Sequence, residues 1–284
     1  MYNFPIGVML HSFRKPYDEA LELAAGIGAK GLQMYCVKGD YAPEALNAEK
    51  RRELLQKVKD KGMVFSALCG DFGKGFWRRE LNPELIERSK RIIDMAKDLE
   101  TDVVTTHIGV VPADKTCDRY QIMQEACFEL ARYADSIDAH FAIETGPETS
   151  AVLKEFLDDL HSTGVAINLD PANLVMITGD DPVQAVYNLK DYIVHTHAKD
   201  GVMLYKTNPE YIYGVIEKPE DIQGIKCFKE VPLGTGSVDF PAWMKALEDI
   251  GYRGYLTIER EVGENPTKDI KTAMDHLTRV IKEN

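Results

Sequence analysis

The chain has 284 residues, with 34 basic against 46 acidic side chains and a formal net charge of −12, a balance that works against tracking a phosphate backbone and makes nucleic acid an unexpected partner. No apolar run reaches the roughly 18 residues of a membrane span, and the amino-terminal MYNFPIGVML lacks the basic segment and long apolar stretch of a signal peptide. Five cysteines, an odd number without CxxC spacing, read as reduced, packed thiols, so the expectation is a cytoplasmic protein with no membrane partner.

Apolar runs alternate with amphipathic stretches of helical period from end to end, the pattern of βα units around a parallel sheet. The first strand is IGVML (6–10), followed by a helix over 17–27 that Gly28 stops. The second is GLQMY (31–35), then a helix over 47–61 capped by Asn47 and ended by Gly62. Strand MVFSAL (63–68) precedes helix 83–99, where Pro83 suits the first turn, and VVTTH (103–107) precedes helix 119–138. HFAIET (140–145), helix 149–162, VAINLD (165–170), helix 182–189 and YIVHTH (192–197) follow. A helix over 240–249, strand YLTIE (255–259) and helix 267–282 complete the chain.

Eight strands alternating with eight helices predict an α/β fold, a (β/α)₈ TIM barrel forming a single domain over 1–284. Neither a GxGxxG nor a GxxxxGK[ST] stretch follows any strand, which leaves dinucleotides and nucleoside triphosphates without their usual phosphate cradle; Gly73 and Gly75 in GDFGKGF (70–76) read as loop flexibility. One connection is long: about 198–239, expected as a loop on the catalytic face that includes Tyr205, Tyr211 and Tyr213 and serves as a lid or a subunit contact.

Glu144, Asp170, His197 and Glu259 each end an apolar strand. A carboxylate or imidazole inside such a strand would be costly to bury, whereas at its carboxyl end it opens into the βα loops where barrel sites are built. Two glutamates, an aspartate and a histidine make a hard, oxygen-rich set for a divalent metal, Mn²⁺ first, with Mg²⁺, Co²⁺ or Zn²⁺ as alternatives. Such an ion acidifies a C–H beside a carbonyl, and a carboxylate on each face can take or return the proton, the part expected of Glu144 and Glu259. His107, at the end of the fourth strand, and Lys199, in HAKD, are expected to contact substrate oxygens; Asn173, in DPAN, and Glu230 are further substrate-binding candidates. His195 shares a strand face with His197, which is preferred as ligand because it lies nearer the strand's end. Phe76 and Trp77 are candidates for an apolar wall against a sugar ring.

These residues, in GVMLHSFR (7–14), THIG (106–109), IETGPE (143–148), NLDPANL (168–174), HTHAKD (195–200), EVPLGTGSVDF (230–240) and YLTIERE (255–261), resemble the sugar isomerase/epimerase branch of the xylose isomerase-like TIM barrels, the group of tagatose 3-epimerase and inosose dehydratase. The resemblance covers nearly the whole chain. It implies metal ligands at Glu144, Asp170, His197 and Glu259, acid/base roles for Glu144 and Glu259, and metal-dependent proton transfer on a small sugar or polyol in carbohydrate metabolism. It also implies a homo-oligomer. Ketose epimerases carry an arginine several residues past the histidine ligand, where this chain has HAKDGVMLYK, a form closer to the dehydratase-like members. A lyase or dehydratase acting on a keto-inositol or 3-keto-glycoside is therefore the alternative, and a non-catalytic sugar-binding barrel the second. The related endonuclease IV has a histidine where this chain has Asn173, which argues against DNA repair.

Overall fold

The computed structural model describes residues 2–283. In chain order the first elements are β1 (Ile6–Met9), α1 (Tyr17–Gly26), β2 (Gly31–Tyr35), α2 (Ala48–Asp60), β3 (Val64–Cys69), α3 (Asn82–Asp98), β4 (Val103–Thr106), α4 (Asp118–Ser136), β5 (His140–Glu144) and α5 (Ser150–Leu160). Then come β6 (Val165–Leu169), α6 (Pro171–Asn173), α7 (Pro182–Asn188), β7 (Ile193–Ala198), β8 (Asp200–Met203), α8 (Pro209–Ile212) and β9 (Phe228–Val231), followed by α9 (Phe240–Asp249), β10 (Leu256–Ile258) and α10 (Pro266–Glu283).

Eight of these strands close into a parallel barrel in the order β1, β10, β7, β6, β5, β4, β3, β2, as the count of βα units predicts. Local signals set the helix starts: Asn47 accepts from the Lys50 amide at the head of α2, and Asp239 accepts from the Ala242 amide at the head of α9. Each long helix lays its apolar face on the outside of the barrel, as Leu85, Ile92, Ile93 and Ala96 of α3 do in the main core. Inside, Ala67, Val103, Ala142 and Ala166 form a separate small cluster. Each stands two residues before Cys69, Thr105, Glu144 or Asn168, hence on the same strand face, so a layer of small side chains supports the polar layer above it.

Three strands end one residue before the polar side chain predicted to close them: β4 before His107, β6 before Asp170 and β10 before Glu259. These residues stand just past the last strand position, where the backbone can turn. The Asp170 amide, for example, donates to Thr145 Oγ1, while its carboxylate Oδ1 caps α6 by accepting from the Asn173 amide. The segment 198–239, expected as a plain loop, contains structure of its own. β8 and β9 pair antiparallel, with Asp200 opposite Val231 and Met203 opposite Phe228, and the single turn α8 lies between them.

The hairpin also explains the EVPLGTGSVDF segment. Asp200, buried at 1% exposure, gathers the amides of Gly201, Gly234, Gly236 and Val238 on its two carboxylate oxygens. One aspartate therefore holds the turn that leads into α9.

Candidate active site

The β7 strand carries His197 into the barrel mouth, where three carboxylates surround one ring nitrogen. His197 Nδ1 lies 3.4 Å from Glu144, 3.4 Å from Asp170 and 3.2 Å from Glu259. One donor atom from each of the four residues falls within 4.8 Å of all the others, and all four side chains are buried. The strand-end residues named from sequence are thus brought together, from β5, β7 and the loops after β6 and β10.

The other ring nitrogen fixes the imidazole. His197 Nε2 lies 2.8 Å from Gln33 Oε1, and Gln33 Nε2 in turn donates to Thr105 Oγ1 at 2.7 Å. A carbonyl oxygen only accepts, so Nε2 carries the hydrogen and the Nδ1 lone pair faces the carboxylates. Burial lowers the affinity of His197 for a second proton, but Glu259 and Glu144 outweigh it and raise its pKa well above the ordinary value. Three carboxylates around one imidazole nitrogen concentrate negative charge at that point. Asp170, fully buried, also presents Oδ2 without a hydrogen-bond partner. An unsatisfied buried carboxylate oxygen, two glutamates and an available imidazole nitrogen fit a divalent cation, which would satisfy them together.

His195 lies below, with Nδ1 2.9 Å from Asn168 Oδ1 and Nε2 2.9 Å from Thr257 Oγ1. Burial and the neighbouring His197 lower its pKa well below the usual value, so it is a neutral pin between strands. Asn168 Nδ2 donates to Glu144 Oε2 at 3.3 Å, and Asn173 Nδ2 donates to Glu144 Oε1 at 3.0 Å. Both oxygens of Glu144 are therefore oriented by amides.

Lys199 is buried at 3% exposure, its ammonium 3.0 Å from Glu259 Oε2 and 2.6 Å from Glu261 Oε2. Burial alone would raise the Glu259 carboxyl, but His197 and Lys199 together hold it far below the usual carboxylate range. His107 spans Asp71 at 3.3 Å and Glu144 at 3.8 Å. Burial lowers its pKa, yet Glu144 and Asp71 prevail and push it up to about 10. Glu230, on β9, has its carboxylate bound by Arg260 at 2.5 Å and by the Glu261 amide, so it braces the cavity wall. Of the aromatic pair after β3, Phe76 packs into the core against Phe141, while Trp77 lines the cavity.

All these groups open into one cavity of about 970 Å³ at the carboxyl ends of the strands, lined by His107, Glu144, Asn173, Lys199, Glu230 and Glu259 among others. Sequence reasoning did not single out Gln33 or Asn168, although an amide inside an otherwise apolar strand is a readable signal. Asp71 was also missed. Tyr213, which sequence places only in the long connection, has its ring 6.0 Å from that of His107 and forms part of the cavity wall.

A solved xylose isomerase domain protein from Planctomyces limnophilus superposes with a TM-score of 0.81 at 26% identity, covering 99% of both chains. The 3-keto-D-glucoside 4-epimerase of E. coli superposes with a TM-score of 0.72 at 15% identity over 97% of this chain and 99% of that one, a likeness of fold. Inosose dehydratase of Lacticaseibacillus casei is 26% identical over 129 residues, covering 45% of this chain and 41% of that protein's length. Residues 21–280 match the xylose isomerase-like TIM barrel family, and the chain belongs to that family.

Proposed function

We propose that this protein is a divalent-metal-dependent isomerase or epimerase of a small sugar or polyol, moving a proton at a carbon adjacent to a carbonyl. The observation that carries the reading is the pairing of Glu144 and Glu259, which approach His197 Nδ1 from strands three steps apart on the barrel and face one cavity. Glu144, Asp170, His197 and Glu259 are the residues that hold the ion, Mn²⁺ in this reading, which supplies Lewis acidity to substrate oxygens. Glu144 and Glu259 take and return the proton from opposite faces of the reacting carbon. Asn173 and Asn168 keep the Glu144 carboxylate aimed, and Lys199 keeps Glu259 ionised as a base. His107 donates to a substrate oxygen beside Glu144. We place the protein in the cytoplasm, consistent with five free cysteines, and expect a homo-oligomer.

A second reading, a lyase or dehydratase on a keto-inositol or 3-keto-glycoside, is favoured by His107. An imidazole with its pKa pushed up to about 10 is a charged acid at neutral pH, able to protonate a departing hydroxyl or aglycone. The partial similarity to inosose dehydratase agrees with it.

Metal-dependent solvent deuterium exchange across free ketoses, keto-inositols and 3-keto-glycosides tests both, with EDTA-stripped protein as control. Exchange restored by Mn²⁺ is the expected result, and product analysis separates an isomer from loss of water or aglycone. Full exchange in both Glu144→Gln and Glu259→Gln would exclude two-base chemistry.

A further inference from the structure

The cavity has a charge unlike that of the protein around it. The whole chain carries 34 basic and 46 acidic side chains, yet six cations and five carboxylates line this cavity. The cations on its floor are spoken for: Lys199 is paired with Glu259 and Glu261, and Arg260 with Glu230 and Asp269. Four remain. Among the described residues, Lys74, Arg78, Lys226 and Lys229 have no carboxylate partner.

Their placement forms a mouth. Lys74 and Arg78 belong to the loop after β3, whereas Lys226 and Lys229 belong to the excursion after β7. Two separate segments of the chain thus bring the two pairs to one cavity wall. Arg78 is the anchored member. Its guanidinium stands 4.9 Å from the centre of the Trp77 ring, and Trp77 is itself wedged against Gly75 and Gly109. A Cβ at either glycine would lie 2.9 Å from Trp77 Cδ1, and both have positive φ, 61° and 98°. These glycines thus fit the aromatic shelf under the arginine. Arg78 Nη2 reaches only the Lys74 carbonyl at 3.3 Å, and its buried Nε has no partner at all. A guanidinium edge without a carboxylate partner, seated over an aromatic ring, is suited to a planar or tetrahedral oxyanion, and three further ammonium groups lining the same cavity add positive charge.

We propose that the substrate is an anionic sugar, carrying a phosphate ester or carboxylate on the part that faces the mouth, away from the reacting carbon. The proposal rests on the enolisation reading above for the identity of the reacting end. The exposed lysines attract the charge, and Arg78 binds it.

The test assays each neutral ketose beside its terminal phosphate ester and its sugar-acid counterpart for Mn²⁺-dependent deuterium exchange. In parallel, tryptophan fluorescence of metal-free protein is titrated with inorganic phosphate; Trp243 is fully buried, so quenching reports Trp77. One anionic member should exceed its neutral partner in kcat/KM by about tenfold or more, with a gain that shrinks as salt rises. Whether the ester or the acid responds identifies the group. Arg78→Ala should remove that gain through KM with kcat retained, and Lys226→Ala with Lys229→Ala should weaken its salt dependence. Phosphate should quench the parent protein saturably and the Arg78→Ala variant not at all. A neutral ketose processed as well as both anionic forms would overturn the proposal. Exchange on neither class would defeat the enolisation reading instead, and the phosphate titration would then decide alone: quenching abolished by Arg78→Ala supports the anion site, and no quenching overturns it.

Discussion

Lys199 Nζ lies 3.0 Å from Glu259 Oε2 in a site where both side chains are almost completely buried. Taking one charge from such a pair leaves the other stranded in low dielectric, a loss larger than the net worth of the pair. Lys199→Met should therefore lower unfolding free energy by about 3 kcal/mol in urea titrations of metal-free protein. Stability within a few tenths of the parent would show that Glu259 does not depend on the ammonium.

Gln33 acts on the site through His197. It is fully buried and accepts the Nε2 hydrogen that leaves Nδ1 free for coordination. Gln33→Met, similar in volume, should reduce Mn²⁺ or Zn²⁺ affinity by about 10- to 100-fold, the range found when the partner of a metal-binding histidine is removed. Direct metal titration by calorimetry checks this, with His197→Ala as the variant expected to lose binding.

Glu148 offers a pH signature. Burial pushes its carboxyl up to about 8, against the opposing effects of the Val111 amide and the charge of His107. A folded value above the ordinary 4.5 means that the neutral form is the one the fold favours. Stability is then greatest below that ordinary value and declines as pH rises toward 8, by up to about 1.4 kcal/mol per unit from this group. Glu148→Gln should flatten the fall between pH 5 and 8; parallel urea profiles for the two proteins would contradict the assignment.

Arg119 on α4 forms an ion pair with Glu210 on α8, the turn that delivers Tyr213 to the cavity. Both partners are about a quarter exposed, so Arg119→Ala should cost under about 1 kcal/mol of stability. Its effect should appear instead as faster amide hydrogen exchange over 205–216 and a several-fold higher KM. Unchanged exchange there would mean that the ion pair does not restrain the turn.

The barrel and the cluster at its mouth were legible because buried parallel strands are largely apolar, and a carboxylate or imidazole at their carboxyl ends stands out against that background. Glu144, Asp170 and Glu259 are the first acidic residues of their runs, whereas His197 follows His195 in β7 and is set apart from it only by lying nearer the strand's end. The hairpin was not legible, because β8 and β9 are short, half polar and paired across a connection of irregular composition. Lys199 was identified as a site residue, but its partners Glu259 and Glu261 arrive from another strand, and no local pattern announces such a meeting. From sequence alone Gly75 reads as loop flexibility, whereas its positive φ and the adjacent Trp77 give it a packing role.

Lys199 and Asp200 are neighbours in the chain that face different tasks, one gripping Glu259 and the other the turn before α9. They behave as the two arms of a lever whose pivot is the short link between β7 and β8. A force on the hairpin that draws on Asp200 acts on the same peptide unit that carries Lys199 and its hold on Glu259. The seating of the hairpin and the charge beside Glu259 are in this way linked through a single peptide unit.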